Sequence, residues 1–193
     1  MASINTLITD IRQLLKDDKR FKDKSLEALQ LNLSSALASR LGETKGQPKS
    51  LLRMSNLGMP CDRKIWYTVN RPDVKEDIPP HTRLKFLYGE IVEQIVLAMA
   101  KEAGHTVEGQ QDELEIDGIL CHRDAVIDGV TVDVKSANQR MFQKFSKPIK
   151  ELKEDVWFAS YLDQLQLYME AAKDDPKVTV KKAGAFLAFD QEL

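Results

Sequence analysis

The dipeptide Asp128-Gly129 constrains this chain more than any other feature. It stands between two apolar runs, and Asp-Gly is the pair that a tight type I′ hairpin turn favours at its two left-handed positions. With the turn there, Ile127 pairs with Val130, Val126 with Thr131, Ala125 with Val132 and Asp124 with Asp133. Side chains alternate along a strand, so Lys135 shares the face of Asp133 with His122 and Thr131, while Ala125, Ile127, Val132 and Val134 point the other way. Two carboxylates and an amine converge. Like charges directly opposite destabilise a hairpin, so the pair calls for a cation. Divalent Mg²⁺ or Mn²⁺ suits oxygen ligands of this kind, and such a site can hydrolyse a phosphodiester, with Lys135 orienting the attacking water or stabilising developing charge. An Asp-x-Lys alone also occurs on solvated hairpins; the second Asp opposite the first makes this one distinctive.

The remaining chain is read around that hairpin. Apolar residues at helical spacing predict one or two amphipathic helices over residues 4–41, divided by the charged stretch 16–24. Residues 42–50 read as a loop. A short helix is expected over 61–67, and Pro72, Pro79 and Pro80 exclude helix until about Thr82. Leu84, Leu87, Tyr88, Ile91, Ile95, Ala98 and Met99 mark a helix over 83–103, closed by Gly104. Strands are predicted at 113–116, 119–127, 130–136 and 183–189, with a basic helical or looped segment over 139–153 interrupted by Pro148 and a helix over 156–172. The order implies an α/β fold, a mixed central β-sheet flanked by helices, with a helical N-terminal extension.

With 42% hydrophobic and 30% charged residues, the chain has enough apolar content to fold. A net charge of −2 gives no global attraction to nucleic acid, so a DNA site must come from local clusters. Residues 135–153 supply one: Lys135, Arg140, Lys144, Lys147, Lys150 and Lys153 against Glu151 alone. Two cysteines, Cys61 and Cys121, make neither a disulfide framework nor a four-ligand metal site, which fits a reducing compartment. No signal-like or membrane-spanning apolar run is present, and a cytoplasmic location is expected.

Residues 118–124, ending in Asp124, followed by Val132-Asp-Val-Lys135, resemble the core of the PD-(D/E)xK nuclease superfamily. Gln164-Leu-Gln-Leu-Tyr168 is similar to the Gln-x-x-x-Tyr motif of its RecB-like branch, and Gly89-Glu-Ile-Val-Glu93 resembles the Gly-x-x-x-His element, with Glu93 at the His position and Glu90 as the competing choice. The resemblance spans roughly residues 83–189. It implies a restriction-endonuclease-like core in a nuclease domain over 51–193, preceded by the helical extension over 1–50. It further implies a metal held by Glu93, Asp124, Asp133 and the Val134 carbonyl, with Gln164 and Tyr168 positioning a DNA strand.

A weaker echo at Cys61 to Tyr67 resembles the segment that carries the first cluster cysteine in iron-sulfur relatives. The other cluster cysteines are missing, so no iron-sulfur cluster is expected. Cys61 is then a packing residue, Arg63 and Lys64 are phosphate contacts, and Trp66 and Tyr67 are core or base-stacking residues, with core favoured. Phe142, Phe145 and Trp157 read as core residues or a wedge at a strand end; His81 and His105 read as structural or exposed. The branch implies an exonuclease of DNA recombination or repair, phage-encoded or bacterial, acting in a bacterial or phage-infected cell. Homo-oligomerisation and a recombination partner protein are expectations of the same resemblance. The rival reading is a DNA-binding module that keeps the fold without cleaving.

Overall fold

The computed structural model describes residues 2–42, 52–71, 73–74 and 77–191. All but the first residue of the loop expected at 42–50, the proposed domain boundary at residue 50 and Pro72 lie outside these.

Two helices come first, α1 (Leu7–Lys16) and α2 (Asp23–Leu41), separated by the charged stretch. Two short ones follow, α3 (Met54–Leu57), which periodicity does not reveal, and α4 (Asp62–Asn70). The long helix α5 (Pro80–Glu102) starts two residues before the expected limit. Pro80 occupies the first turn, where its missing N–H costs nothing and its fixed φ favours the helix. Gly104, at φ +98°, follows its end.

The strands are β1 (Val107–Glu108), β2 (Asp112–Ile116), β3 (Ile119–Arg123), β4 (Ala125–Ile127), β5 (Val130–Ala137) and β6 (Gly184–Asp190). Between the last two lie α6 (Gln139–Lys144), α7 (Ile149–Leu152) and α8 (Val156–Ala171). A mixed sheet runs β1-β4-β5-β6, antiparallel except that β6 joins β5 in parallel. The hairpin register is Ile127↔Val130, Val126↔Thr131 and Ala125↔Val132. Its turn places Asp128 at φ 50° and Gly129 at φ 79°, the two left-handed positions of a type I′ turn.

One expected strand, 119–127, is two. β3 leaves the sheet at Asp124 and pairs with β2 in a separate hairpin, so His122 lies exposed beside Glu113 and not on the face of Asp133. The break is held by Arg123, fully buried, which donates to Asp112 at 3.0 Å and Asp175 at 2.8 Å.

Helices cover both faces of the sheet. Ala125, Ile127, Val132 and Leu187 pack with Val96, Leu97 and Ala100 of α5 and Leu7 and Ile11 of α1. Val126 joins Ala172 and Val178 on the opposite side. His105 is sealed between two carboxylates, Asp128 at 2.7 Å and Asp10 at 3.2 Å, and so ties α1 to the hairpin turn; His81 is exposed.

Candidate active site

The break at Asp124 builds the site. Where a continued ladder would offer strand backbone to the Val134 amide, Asp124 Oδ2 accepts it instead, at 2.7 Å. Asp124 therefore remains beside Asp133 although the ladder has ended. Asp133, 1% exposed, receives the Lys135 ammonium at 2.9 Å on Oδ1. The same ammonium lies 2.7 Å from Oδ2, outside hydrogen-bonding direction. Lys135 also donates to Gln164 Oε1 at 3.3 Å and stands 4.9 Å from the centre of the Tyr161 ring. Its charge is thus fixed in place.

Glu93 comes from α5. That helix passes β5 so closely at Gly89 that an added Cβ would lie 3.2 Å from Ser136 Oγ, and Glu93 is one turn further on. Its carboxylate accepts from Gln111 at 2.7 Å and Gln94 at 3.2 Å. Burial, then the charges of Glu90 and Asp133, push Glu93 up to about 7, against the opposing Gln111 hydrogen bond. Burial and the charges of Asp133 and Glu93 hold Asp124 well above the usual carboxylate range. Asp133 is raised by burial, with Lys135 opposing. Burial alone would lower Lys135, but Asp133 and Asp124 outweigh it and keep the ammonium charged. Glu90, the competing acid, is instead paired with Arg40 of α2.

These groups share one open cleft of about 820 Å³, lined by Glu93, Asp124, Asp133, Lys135, Tyr161 and Gln164. Its far wall is α2, through Asn32, Ser35, Ser39 and Arg40, with Lys85 and Phe86 from α5. Sequence periodicity did not reveal that wall, because α2 packs along α5 without burying any of its own residues. Gln111 was missed too; it follows Gly109 in a turn, and no motif marks it.

Tyr168 differs from expectation. It is 4% exposed, packed with Met54 and Cys121, and its hydroxyl accepts from Gln164 Nε2. Burial raises its pKa, so it stays a neutral phenol. Its place is to hold Gln164, which faces the cleft.

The expected DNA-contacting cations Arg63, Lys64, Arg140, Lys144 and Lys147 all lie outside the cleft lining. Lys144 is engaged by Asp155, the residue that caps α8, and Lys147 pairs with Glu151 at 3.8 Å. Phe145 stacks on Phe158 and Phe186 in the interior, whereas Trp157 is exposed. Cys61 is exposed, not packed, and Cys121 is buried; both are free thiols.

Glu93, Asp124 and Asp133 stand around the Lys135 ammonium, and burial favours the protonated forms of all three. Such a donor set fits a hard divalent cation, which would replace those protons. Among the described residues, no three His, Cys, Asp or Glu side chains are already drawn to metal-ligating geometry. Gln111 and Lys135 hold two of the three acids meanwhile. No helix is long and apolar enough to cross a membrane among the described residues. No family profile, curated protein or solved structure matches this chain.

Proposed function

We propose that this chain is a metal-dependent deoxyribonuclease of the PD-(D/E)xK kind, with a restriction-endonuclease-like core, acting as an exonuclease on DNA ends. One observation carries the reading: Asp124, at the break between β3 and β4, and Asp133 and Lys135 of β5 meet Glu93 from α5 in a single open cleft. Glu93, Asp124, Asp133 and the Val134 carbonyl are the residues that would hold Mg²⁺ or Mn²⁺. When bound, the ion supplies Lewis acidity toward a phosphoryl oxygen and acidifies a bound water.

The protein's own groups do the rest. Asp133 and Gln164 fix the Lys135 ammonium, which stabilises negative charge developing on the scissile phosphate and orients the attacking water. Tyr168 fixes Gln164 in turn, and Gln164 positions the strand. Asp124 is aimed by the Val134 amide. Arg140 and Lys147, both exposed, give sequence-tolerant attraction to phosphates outside the cleft, as Arg63 and Lys64 do on α4. A role in recombination or repair, in a bacterial or phage-infected cell and beside a recombination partner protein, belongs to the same reading, as does assembly into a homo-oligomer.

The test compares linear, nicked and covalently closed DNA in Mg²⁺, Mn²⁺ or EDTA. Metal-dependent loss of linear DNA with closed circles spared is expected. DNA binding without cleavage under every metal condition would favour a non-cleaving binding module, and cleavage in EDTA would contradict the mechanism.

A further inference from the structure

Helix α4 hides the wrong side chains for a structural helix. Its Ile65 and Val69, four residues apart, are half-buried, while Trp66 is 54% and Tyr67 37% exposed. Arg63, Trp66, Tyr67 and Asn70 follow at helical spacings of three and four and form one outward stripe. No residue of α4 is buried. The reading of Trp66 and Tyr67 as core residues is therefore overturned: Ile65 and Val69 are the more covered side chains of the helix, and the two aromatic rings lie at the surface. The polar residues beside the rings are turned inward on the helix itself, Thr68 donating to the Lys64 carbonyl and Asn70 to the Trp66 carbonyl.

The stripe also carries uncommitted positive charge. Among the described residues neither Arg63 nor Lys64 has a carboxylate within ion-pair distance, and the Arg63 guanidinium stands 5.8 Å from the centre of the Tyr67 ring. Trp66 and Tyr67 meet edge to face, 5.2 Å apart and at 85°, and Trp66, 54% exposed, is the more accessible ring. Seven residues before α4, Ser55 of α3 lines the cleft, and Gly58 lies so tight on α8 that a Cβ would fall 2.8 Å from the Ser160 backbone; α4 begins four residues later.

Exposed aromatic faces next to free cations are the combination that binds single-stranded nucleic acid, because bases stack on the rings while the cations follow the phosphates. A duplex hides its base faces and would use only the charges. We propose that α4 is a stacking platform for single-stranded DNA, engaging bases on Trp66 and Tyr67 and phosphates on Arg63 and Lys64. This rests on the nuclease reading for its biological sense, but not for its test.

The protein has two tryptophans, so Trp157→Phe leaves Trp66 as the only indole. That protein is titrated in EDTA with an oligothymidylate, following indole emission, and the affinities of it and of each variant for a labelled oligothymidylate and a labelled duplex of equal length are read from anisotropy. Quenching by the single strand, and roughly tenfold weaker binding after Trp66→Ala with Tyr67→Ala, are expected. Trp66→Phe with Tyr67→Phe should retain most of the affinity, which separates stacking from misfolding. Single-strand binding with unchanged emission, or no loss in the double alanine variant, would overturn the proposal. So would a fall in sedimentation mass in that variant, which would make the stripe a contact between copies of the chain. Quenching in a protein that cleaves nothing in any metal would support the platform while removing the nuclease reading; cleavage without quenching would do the reverse.

Discussion

At Glu93 the balance of forces is legible as a proton. Burial, with help from Glu90 and Asp133, raises this carboxyl from about 4.5 to about 7, and Asp124 and Asp133 move the same way. The folded chain then holds protons that the unfolded chain releases, so without metal its stability falls as pH rises from about 4.5 to about 7. Cations bind only the deprotonated acids. Mg²⁺ or Mn²⁺ should therefore raise the melting temperature more at pH 8 than at pH 5.5. At about 2–4 °C per kcal/mol for a chain of this size, a shift of several degrees is expected at saturating metal. Equal shifts at the two pH values would contradict the assignment. Glu93→Gln should remove most of the metal-induced shift. Glu90→Gln should leave it largely in place, because Glu90 is paired with Arg40; melting curves of the two variants decide between the acids.

Elements set where those residues stand. The Asp-Gly turn was readable, and with it the pairing of residues 125–127 with 130–132. The break at Asp124 was not, because the apolar residues 119–121 and 125–127 on its two sides read as one strand. What ends the strand is tertiary: Arg123 is drawn to Asp112 and Asp175, which are distant in sequence. The strand β6 was readable at 183–189, but its parallel pairing with β5 was not. Gly89 shows how closely an element can govern the site. A larger side chain there crowds Ser136, itself hydrogen-bonded to Gln191 at 3.2 Å, at the place where α5 passes β5 one turn before Glu93. Gly89→Val should cost about 1–3 kcal/mol in denaturant unfolding. Its loss of cleavage should be larger than that of a distant surface variant of equal stability. Full activity with unchanged stability would show that the close approach does not matter. Gly58→Ala, against the Ser160 backbone, should likewise destabilise by about 1–3 kcal/mol, read from the denaturation midpoint.

In the whole molecule, the helix-sheet-helix order was legible because each long element carries its own apolar period. The cleft was legible on its hairpin side and at Glu93 and Gln164. Its other wall is α2, whose polar residues gave no motif, and Tyr168, expected to position DNA beside Gln164, is packed beneath it. A net charge of −2 leaves substrate attraction to local groups, so the account stands or falls on chemistry in that cleft. The most direct measurement follows an end-labelled linear duplex with Mn²⁺ or EDTA, using wild type, Asp133→Ala and Lys135→Ala. The account predicts cleavage by wild type in Mn²⁺ alone, with a loss of at least about 10²-fold in each variant that remains folded. Undiminished cleavage by both variants, or cleavage that survives EDTA, would contradict it.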